Sequence, residues 1–369
     1  MTSKICLLLM IVVSICNAQP NADIARNFDF VQGEKVLILE HFGNDNVGDF
    51  PAKWSTNSGG EIVTIAGKNW LHLGKSGVFM PQYISNLPDN FTFEFDATCS
   101  EKFSNYSNAL SFSIAELANP AKDYDKWKQF NRLGRNGIEI SIHPKRVSTS
   151  NSDGTTSYQS YINGNYGDKN KANQSQFISD AKPTVHVSIW RQERRLRVYL
   201  NQEKVWDLPN AFAVGSKYNS ILFQTGNFKK EEDKYYISHL RLAVGNPDVR
   251  NKLINEGKFV SSGILFDVNS THIKPESLGL IKSIAAILQE NETVNIKIIG
   301  HSDSDGDEAE NLRLSKQRAE AVKQMLSNDF GISSNKLETD GKGESQPAMP
   351  NSSSENKANN RRVEFIKIK

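Results

Sequence analysis

The sequence predicts two domains, an all-β sandwich followed by a small α/β domain with a mixed sheet. Three observations carry that prediction. At 369 residues the chain exceeds the length of about 250 to 300 at which one hydrophobic core stops growing. From Val36 to Gly245, short runs alternate apolar and polar residues with period two and are separated by Gly, Asn, Pro and Ser. After Lys258 the texture changes, and strand-like runs alternate with two amphipathic stretches of helical length.

The chain begins MTSKICLLLMIVVSICNA. Lys4, an apolar run from Ile5 to Ile15 and small residues up to Ala18 have the anatomy of a secretory signal, with cleavage expected after Ala18. The run is too short for a stable membrane span, and no later segment is apolar for long enough to cross as a helix. Ile15 stands where a lipidated Cys16 would need a small residue, so a soluble exported chain is expected. Two of the three cysteines leave with residues 1–18. The third, Cys99, alternates with Phe93, Phe95 and Ala97, which predicts a buried apolar role and a mature chain without an internal disulfide. With 44 basic against 42 acidic residues and no basic run, nothing provides the electrostatic footprint of a nucleic-acid binder.

Residues 19–245 form the predicted β domain. Its strands are read from 36-VLILEHF, 91-FTFEFDATC, 110-LSFSIAE, 138-IEISIH, 184-TVHVSIW, 195-RLRVYL, 203-EKVWDL, 220-SILFQTG and 235-YYISHLRLAV. The polar stretch from Lys145 to Gln176 reads either as a long surface loop or as a mobile edge. Residues 246–257, framed by Pro247 and Gly257, read as a linker.

In residues 258–369 the first strand is expected at 262-SGILFDV. A helix follows at 275-PESLGLIKSIAAILQE, with Pro275 near its start, Leu278, Ile281, Ala285 and Leu288 inward, and Gly279 weakening it slightly. Next come a strand at 294-VNIKIIG, an acidic turn at 303-DSDGDEAE, a helix over 311–326, the segment 336-KLETDGKG, a loop bearing Pro and Asn, and a closing strand at 361-RRVEFIKIK. The order β, α, β, α, β, β implies a small mixed sheet with helices packed on it.

One residue in the second helix is out of place. At 100° per residue, Arg318 lies inside the apolar arc formed by Leu314, Ala319, Ala321, Val322, Met325 and Leu326, and Asn311 lies almost on its line. A guanidinium facing inward is costly unless a carboxylate or a bound anion meets it. Asp303, in the turn after Gly300, sits where βα turns of open sheets gather ligands, and approaches the same stripe. Two outcomes stay open on chemistry alone. Asp303 and Arg318 neutralise each other as an internal pair, or they form one rim that receives a zwitterion, carboxylate to ammonium and guanidinium to carboxylate.

Residues 258–369 resemble the OmpA-like peptidoglycan-binding domain over its full length. The opening FD-x-N is Phe266, Asp267 and Asn269, and the GH[TS]D turn is 300-GHSD. The helix motif is matched by Asn311, Leu314, Ser315, Arg318, Ala319 and Val322, the late G-x-G-x-x-x-P by Gly341, Gly343 and Pro347, and the closing NRRV by residues 360–363. The resemblance implies non-covalent binding of the diaminopimelate end of the peptidoglycan stem peptide. It gives Asp303 the ammonium and Arg318 the carboxylate, and makes Asn311, Asn269 and Arg361 either ligand contacts or pocket wall. It implies no catalytic residue, no metal and no cofactor. His301 reads as a structural turn histidine, and the glycine and glutamate of 303-DSDGDE do not fall where a calcium loop needs them.

The stretch 184-TVHVSIWRQERRLRVYLNQEKVWDLP is similar in texture to the late hairpins of laminin-G and concanavalin-like jelly rolls, which implies a jelly-roll sandwich that binds a glycan or an envelope protein. Glu94 and Asp96 alternate in the manner of a glucanase E-x-D, but Thr98 replaces the next acid, which argues against hydrolysis. Trp54, Trp70, Trp127, Trp190 and Trp206 are candidates for a sugar-stacking platform or for core packing. The combined expectation is a periplasmic, non-enzymatic anchor of a Gram-negative envelope, held to the cell wall near the outer membrane. A wall-tethered carbohydrate-active enzyme and an outer-membrane porin are its rivals.

Overall fold

The computed structural model describes residues 28–126, 136–147, 154–245 and 247–368. The secretory-signal stretch 1–18 and Trp127 lie outside the described residues. No helix among them is long and apolar enough to cross a membrane.

The first part of the chain contributes β1 (Lys35–Glu40), β2 (Trp54–Thr56), β3 (Gly60–Ile65), β4 (Lys68–Leu73), β5 (Val78–Pro81), β6 (Asn90–Cys99), β7 (Leu110–Ala115), β8 (Asn136–His143), β9 (Gly154–Ile162), β10 (Asn165–Gln174), β11 (Thr184–Gln192), β12 (Arg195–Leu200), β13 (Glu203–Leu208), β14 (Ser220–Gln224) and β15 (Tyr235–Val244). They build two open sheets. One runs β13-β12-β11-β6-β15-β4-β3, with β1 on the remaining half of β15, and the other runs β10-β9-β8-β7-β14-β5-β2.

Alternation puts Phe91, Phe93, Phe95 and Ala97 of β6 on one face, and they share a core with Phe112 and Ile114 of β7, Ile138 and Ile140 of β8 and Phe223 of β14. Cys99 is buried and unpaired in the same core. Trp54, Trp70, Trp190 and Trp206 are all buried, so none of these four offers an exposed stacking face.

The stretch read as a loop or mobile edge is largely a hairpin. β9 and β10 pair antiparallel across Asn163-Gly164, whose φ values of 52° and 79° suit a tight two-residue turn. β10 ends the sheet, and its charged, exposed sequence blunts that edge.

The second part contains β16 (Lys258–Ser261), α1 (Leu278–Glu290), β17 (Ile296–Gly300), α2 (Glu308–Asn328), β18 (Leu337–Gly341), α3 (Ser354–Asn360) and β19 (Val363–Lys367). The sheet order is β16-β19-β17-β18, parallel only between β17 and β18. Two expectations need correction. The first strand is Lys258–Ser261, not 262–268, because the chain leaves the ladder at Ser262 and Ile264 turns into the core. The loop before the last strand holds α3, whose N-cap Ser353 accepts from the Asn356 amide. Within the 246–257 connector, Val249 and Leu253 are buried in the second core.

That core extends onto the outer face of the β6–β11–β15 sheet. Phe28 and Phe30 thread between it and α1, with Phe30 edge-on to Trp190 at 6.2 Å and to Tyr199 at 5.4 Å. Gly279 of α1 lies against the backbone of Phe30, and a Cβ there would collide with the Phe30 carbonyl. The glycine that weakens the helix therefore permits the two parts to touch. Gly279→Ala is expected to cost about 1–3 kcal/mol of stability in urea denaturation, against a gain if helix propensity alone decided the matter.

Candidate functional site

The site forms where β17 ends and α2 begins. Asp307 caps α2 by accepting from the amides of Ala309 at 2.9 Å and Glu310 at 3.1 Å, and Glu308 and Glu310 in the first turn complement the positive end of the dipole. α2 lies close on the sheet because Gly300, Gly341 and Gly343 face it. A Cβ on Gly300 would meet the Ser315 carbonyl, and one on Gly341 the Lys316 amide. Gly343 has φ 51° and its amide donates to Ser315 Oγ at 2.9 Å. The G-x-G spacing is thus a backbone requirement.

Asp303 is buried beside this turn, with its Oδ1 accepting from the Asp305 amide at 3.1 Å and its Oδ2 paired with Arg361. Arg361 arrives because β19 runs between β16 and β17, so the residues before Val363 lie next to the β17 turn, where the His301 amide donates to the Arg362 carbonyl at 2.9 Å. The neighbouring residues of 360-NRRV point elsewhere. Asn360 ties the 349–351 loop through three hydrogen bonds of 2.8 Å, and Arg362 pairs with Glu364 at 2.9 Å.

Arg318 is half-buried, as its place in the apolar arc predicts, but the direct partner is not Asp303. Its Nε donates to the Ser270 carbonyl at 3.0 Å and its Nη2 to the Asp267 carbonyl at 3.3 Å, while the guanidinium sits 5.0 Å from the Phe266 ring centre. Burial, and after it the nearby Arg361, pull this guanidinium below its usual pKa, with Asp303 opposing. Asp303 and Arg318 therefore face one neighbourhood without cancelling each other.

Asn311 is buried and donates to the carbonyls of Asp305 at 3.0 Å and Asp303 at 3.3 Å and to Glu344 Oε2 at 2.6 Å, which makes it a brace of the turn. Asn269 is exposed with φ 51°, at the bend of the loop whose carbonyls hold Arg318. Glu344 and the use of the Asp267 and Ser270 carbonyls to hold Arg318 were not singled out from sequence, although Asp267 and Asn269 belong to the FD-x-N motif. Glu344 directly follows Gly343, and a single acid after a G-x-G carries no pattern of its own, so only the fold reveals it.

His301 is buried with Nε2 3.4 Å from Glu364 Oε1, and burial and Arg362 depress its pKa to about 4, with Glu364 opposing, so it is neutral at physiological pH. Among the described residues no group of three or more His, Cys, Asp or Glu side chains is arranged to hold a metal ion.

Glu94 and Asp96 lie on the outer face of β6, beneath the second domain. Glu94 pairs with Arg241 at 2.9 Å and lies 3.4 Å from His186 Nε2, while Asp96 lies 2.7 Å from His186 Nδ1 and 3.3 Å from His239 Nδ1. From the second domain, Glu276 comes within 4.0 Å of His186, and the Ser262 carbonyl accepts from Arg241 at 3.3 Å. The acid pair is thus spent on an internal cluster.

The OmpA family model matches residues 265–361. Outer membrane porin F of Pseudomonas fluorescens is 37% identical over 105 residues, covering 28% of this chain and 32% of that protein. The probable lipoprotein YiaD of Escherichia coli K12 is 36% identical over 104 residues, covering 28% and 47%. The chain therefore spans less than half the length of either relative. A crystal structure of the peptidoglycan-associated lipoprotein from Burkholderia pseudomallei is 28% identical over 28% of this chain and 87% of that one, with a TM-score of 0.27. The glycines that seat α2, the capped turn and the start of the NRRV segment all fall within the matched span, and residues 265–361 are an OmpA family domain.

Proposed function

We propose that residues 258–369 bind peptidoglycan non-covalently through the diaminopimelate end of its stem peptide, and so hold the preceding β domain, a jelly roll by its strand texture, at the cell wall in the periplasm. The observation that carries this reading is the separate support of two opposite charges. Asp303 is oriented by Arg361 and Arg318 by backbone carbonyls, so a ligand with both an ammonium and a carboxylate breaks no bond between them. A carboxylate has about four lone-pair sites, which leaves Asp303 capacity for an ammonium beside Arg361. Arg318 Nη1 carries no hydrogen bond within the described residues and is available to a carboxylate.

Asn311 and Asn269 support the pocket in this reading, the first by bracing the Asp303 turn and the second by shaping the Arg318 loop. The chain is an anchor without chemistry of its own. A glucanase-type use of Glu94 and Asp96 is disfavoured, because both carboxylates are held by Arg241, His186 and His239 and covered by Ser262 and Glu276. The test is co-sedimentation of the purified chain with peptidoglycan carrying diaminopimelate or carrying lysine at the same position. Lysine lacks the second carboxylate, so Arg318 would lose its partner and retention should fall by about tenfold or more. Equal retention on the two walls refutes the zwitterion assignment.

A further inference from the structure

On the β domain, the end of β4 and the loop 226–234 enclose a recess of about 320 Å³ lined by His72, Lys75, Phe228, Lys229, Lys230 and Lys234, with Glu231 and Asp233 also on its wall. Its frame is built rather than loose. Asp233 is buried, and its carboxylate accepts from the Ser104 amide at 3.0 Å, Ser107 Oγ at 2.6 Å and the Lys230 amide at 3.3 Å. Ser107 Oγ also accepts from the Lys229 amide at 2.6 Å. The backbone that projects the lysines is therefore fixed, while the Asp233 charge is consumed inside the frame.

The cations are not consumed. Lys230 approaches Glu232 only at 3.8 Å, and Lys75, Lys229 and Lys234 have no ion pair within the described residues. The floor is apolar, since Phe228 packs edge-on to Phe103 at 6.0 Å and to Tyr235 at 5.9 Å. On the 104–107 loop that anchors the frame, Tyr106 is 86% exposed. Several lysines without ion pairs lining one recess with an aromatic wall suit a ring that bears a negative charge. A volume near the lower end of ligand sites, about 300–1,000 Å³, fits one sugar unit rather than an extended chain.

We propose that this recess binds an anionic saccharide, its phosphate or carboxylate held by Lys75, Lys229 and Lys234 and its ring resting on Phe228. The site is separate from the Asp303 pocket and does not depend on wall binding. Titration calorimetry of the full chain with glucose 6-phosphate, glucuronate and glucose tests it. Saturable binding of either anion but not of glucose supports the site. A response to the phosphate alone identifies a phosphorylated glycan, and a response to the uronate alone an acidic polysaccharide. Lys75→Glu with Lys234→Glu should weaken the anion at least about tenfold, raised salt should weaken it too, and Tyr106→Ala should weaken it less. These side chains lie at the surface, so the melting transition should be unchanged, and an Asp303→Ala chain should bind the sugar as before. The proposal is overturned if neither anion saturates by on the order of 10 mM, if glucose binds equally, or if charge reversal in a folded chain leaves binding intact.

Discussion

Arg241→Met is expected to destabilise the protein by about 3–5 kcal/mol in urea denaturation, because it leaves a buried, ionised Glu94 to the longer 3.4 Å contact with His186, which Asp96 shares. The contact is closed on both sides, from Glu94 at 2.9 Å and from the Ser262 carbonyl at 3.3 Å, and both side chains are almost fully buried. Adding Glu94→Gln should recover a large part of the loss, since the uncompensated charge is then gone. A loss below about 1 kcal/mol would mean that water reaches the pair.

The same cluster sets a pH dependence. Burial works against charging His186, but its hydrogen bonds to Asp96 and Glu94 and the charge of Glu276 outweigh it and raise its pKa well above the ordinary 6.5. A raised histidine stabilises fully below 6.5 and loses its contribution as pH climbs through the folded value. Glu94 and Asp96 are held below their ordinary 4.5 and 3.8, against their own burial, by His186 and, for Glu94, Arg241. Their contribution is present above those values and fades in acid. His239 has its pKa lowered by burial, and His41 beside it is pushed down to about 4, so neither adds charge at neutral pH. Urea midpoints should therefore decline from pH 6.5 toward the alkaline side, and His186→Gln should remove that decline.

Asp303→Ala should lower retention on diaminopimelate-type peptidoglycan by between about 30-fold and a few thousand-fold, the range set by losing one partner of a desolvated charge pair at about 2–5 kcal/mol. Arg318→Ala should fall in the same range, and the double variant should add little, because a ligand gripped at both ends loses most of its orientation when either grip goes. The fold should survive both changes. Arg361 is 41% exposed and tolerates the loss of Asp303, and Arg318 gives up two backbone carbonyls and its contact with the Phe266 ring, at a half-buried position near the surface. Wall binding retained by both single variants in a folded chain would remove the assignment.

Much of this was legible because periodicity reports which face is buried. The strands around Phe93, Phe112 and Ile140 and the helix around Val322 follow directly from their alternation or their 100° spacing. What escaped had weak periodicity or depended on strand order. β9 and β10 are polar on much of both faces, and only the Asn163-Gly164 pair betrayed the turn. α3 is seven residues long and polar. The apolar run at 264–266 reads as a strand, yet Ile264 fills the core and Phe266 lies under Arg318.

The partner of Asp303 shows the limit most clearly. Arg318 is closer in sequence and sits on an anomalous face, whereas Arg361 becomes a neighbour only because β19 inserts beside β17, a choice of topology that no local pattern records. The acid pair of β6 was equally visible as a motif, but its partners come from β11, β15 and the second domain.

One contact between the domains has a mechanical meaning. Asn359 accepts from the Val36 amide and donates to the Val36 carbonyl, each at 2.9 Å, and Ala358 packs against Val36 and Leu39. If the pocket holds the wall as proposed, tension between the wall and whatever holds the sandwich would cross this clasp two residues before Arg361, so load would enter beside the proposed ligand-holding residues rather than through a slack tether.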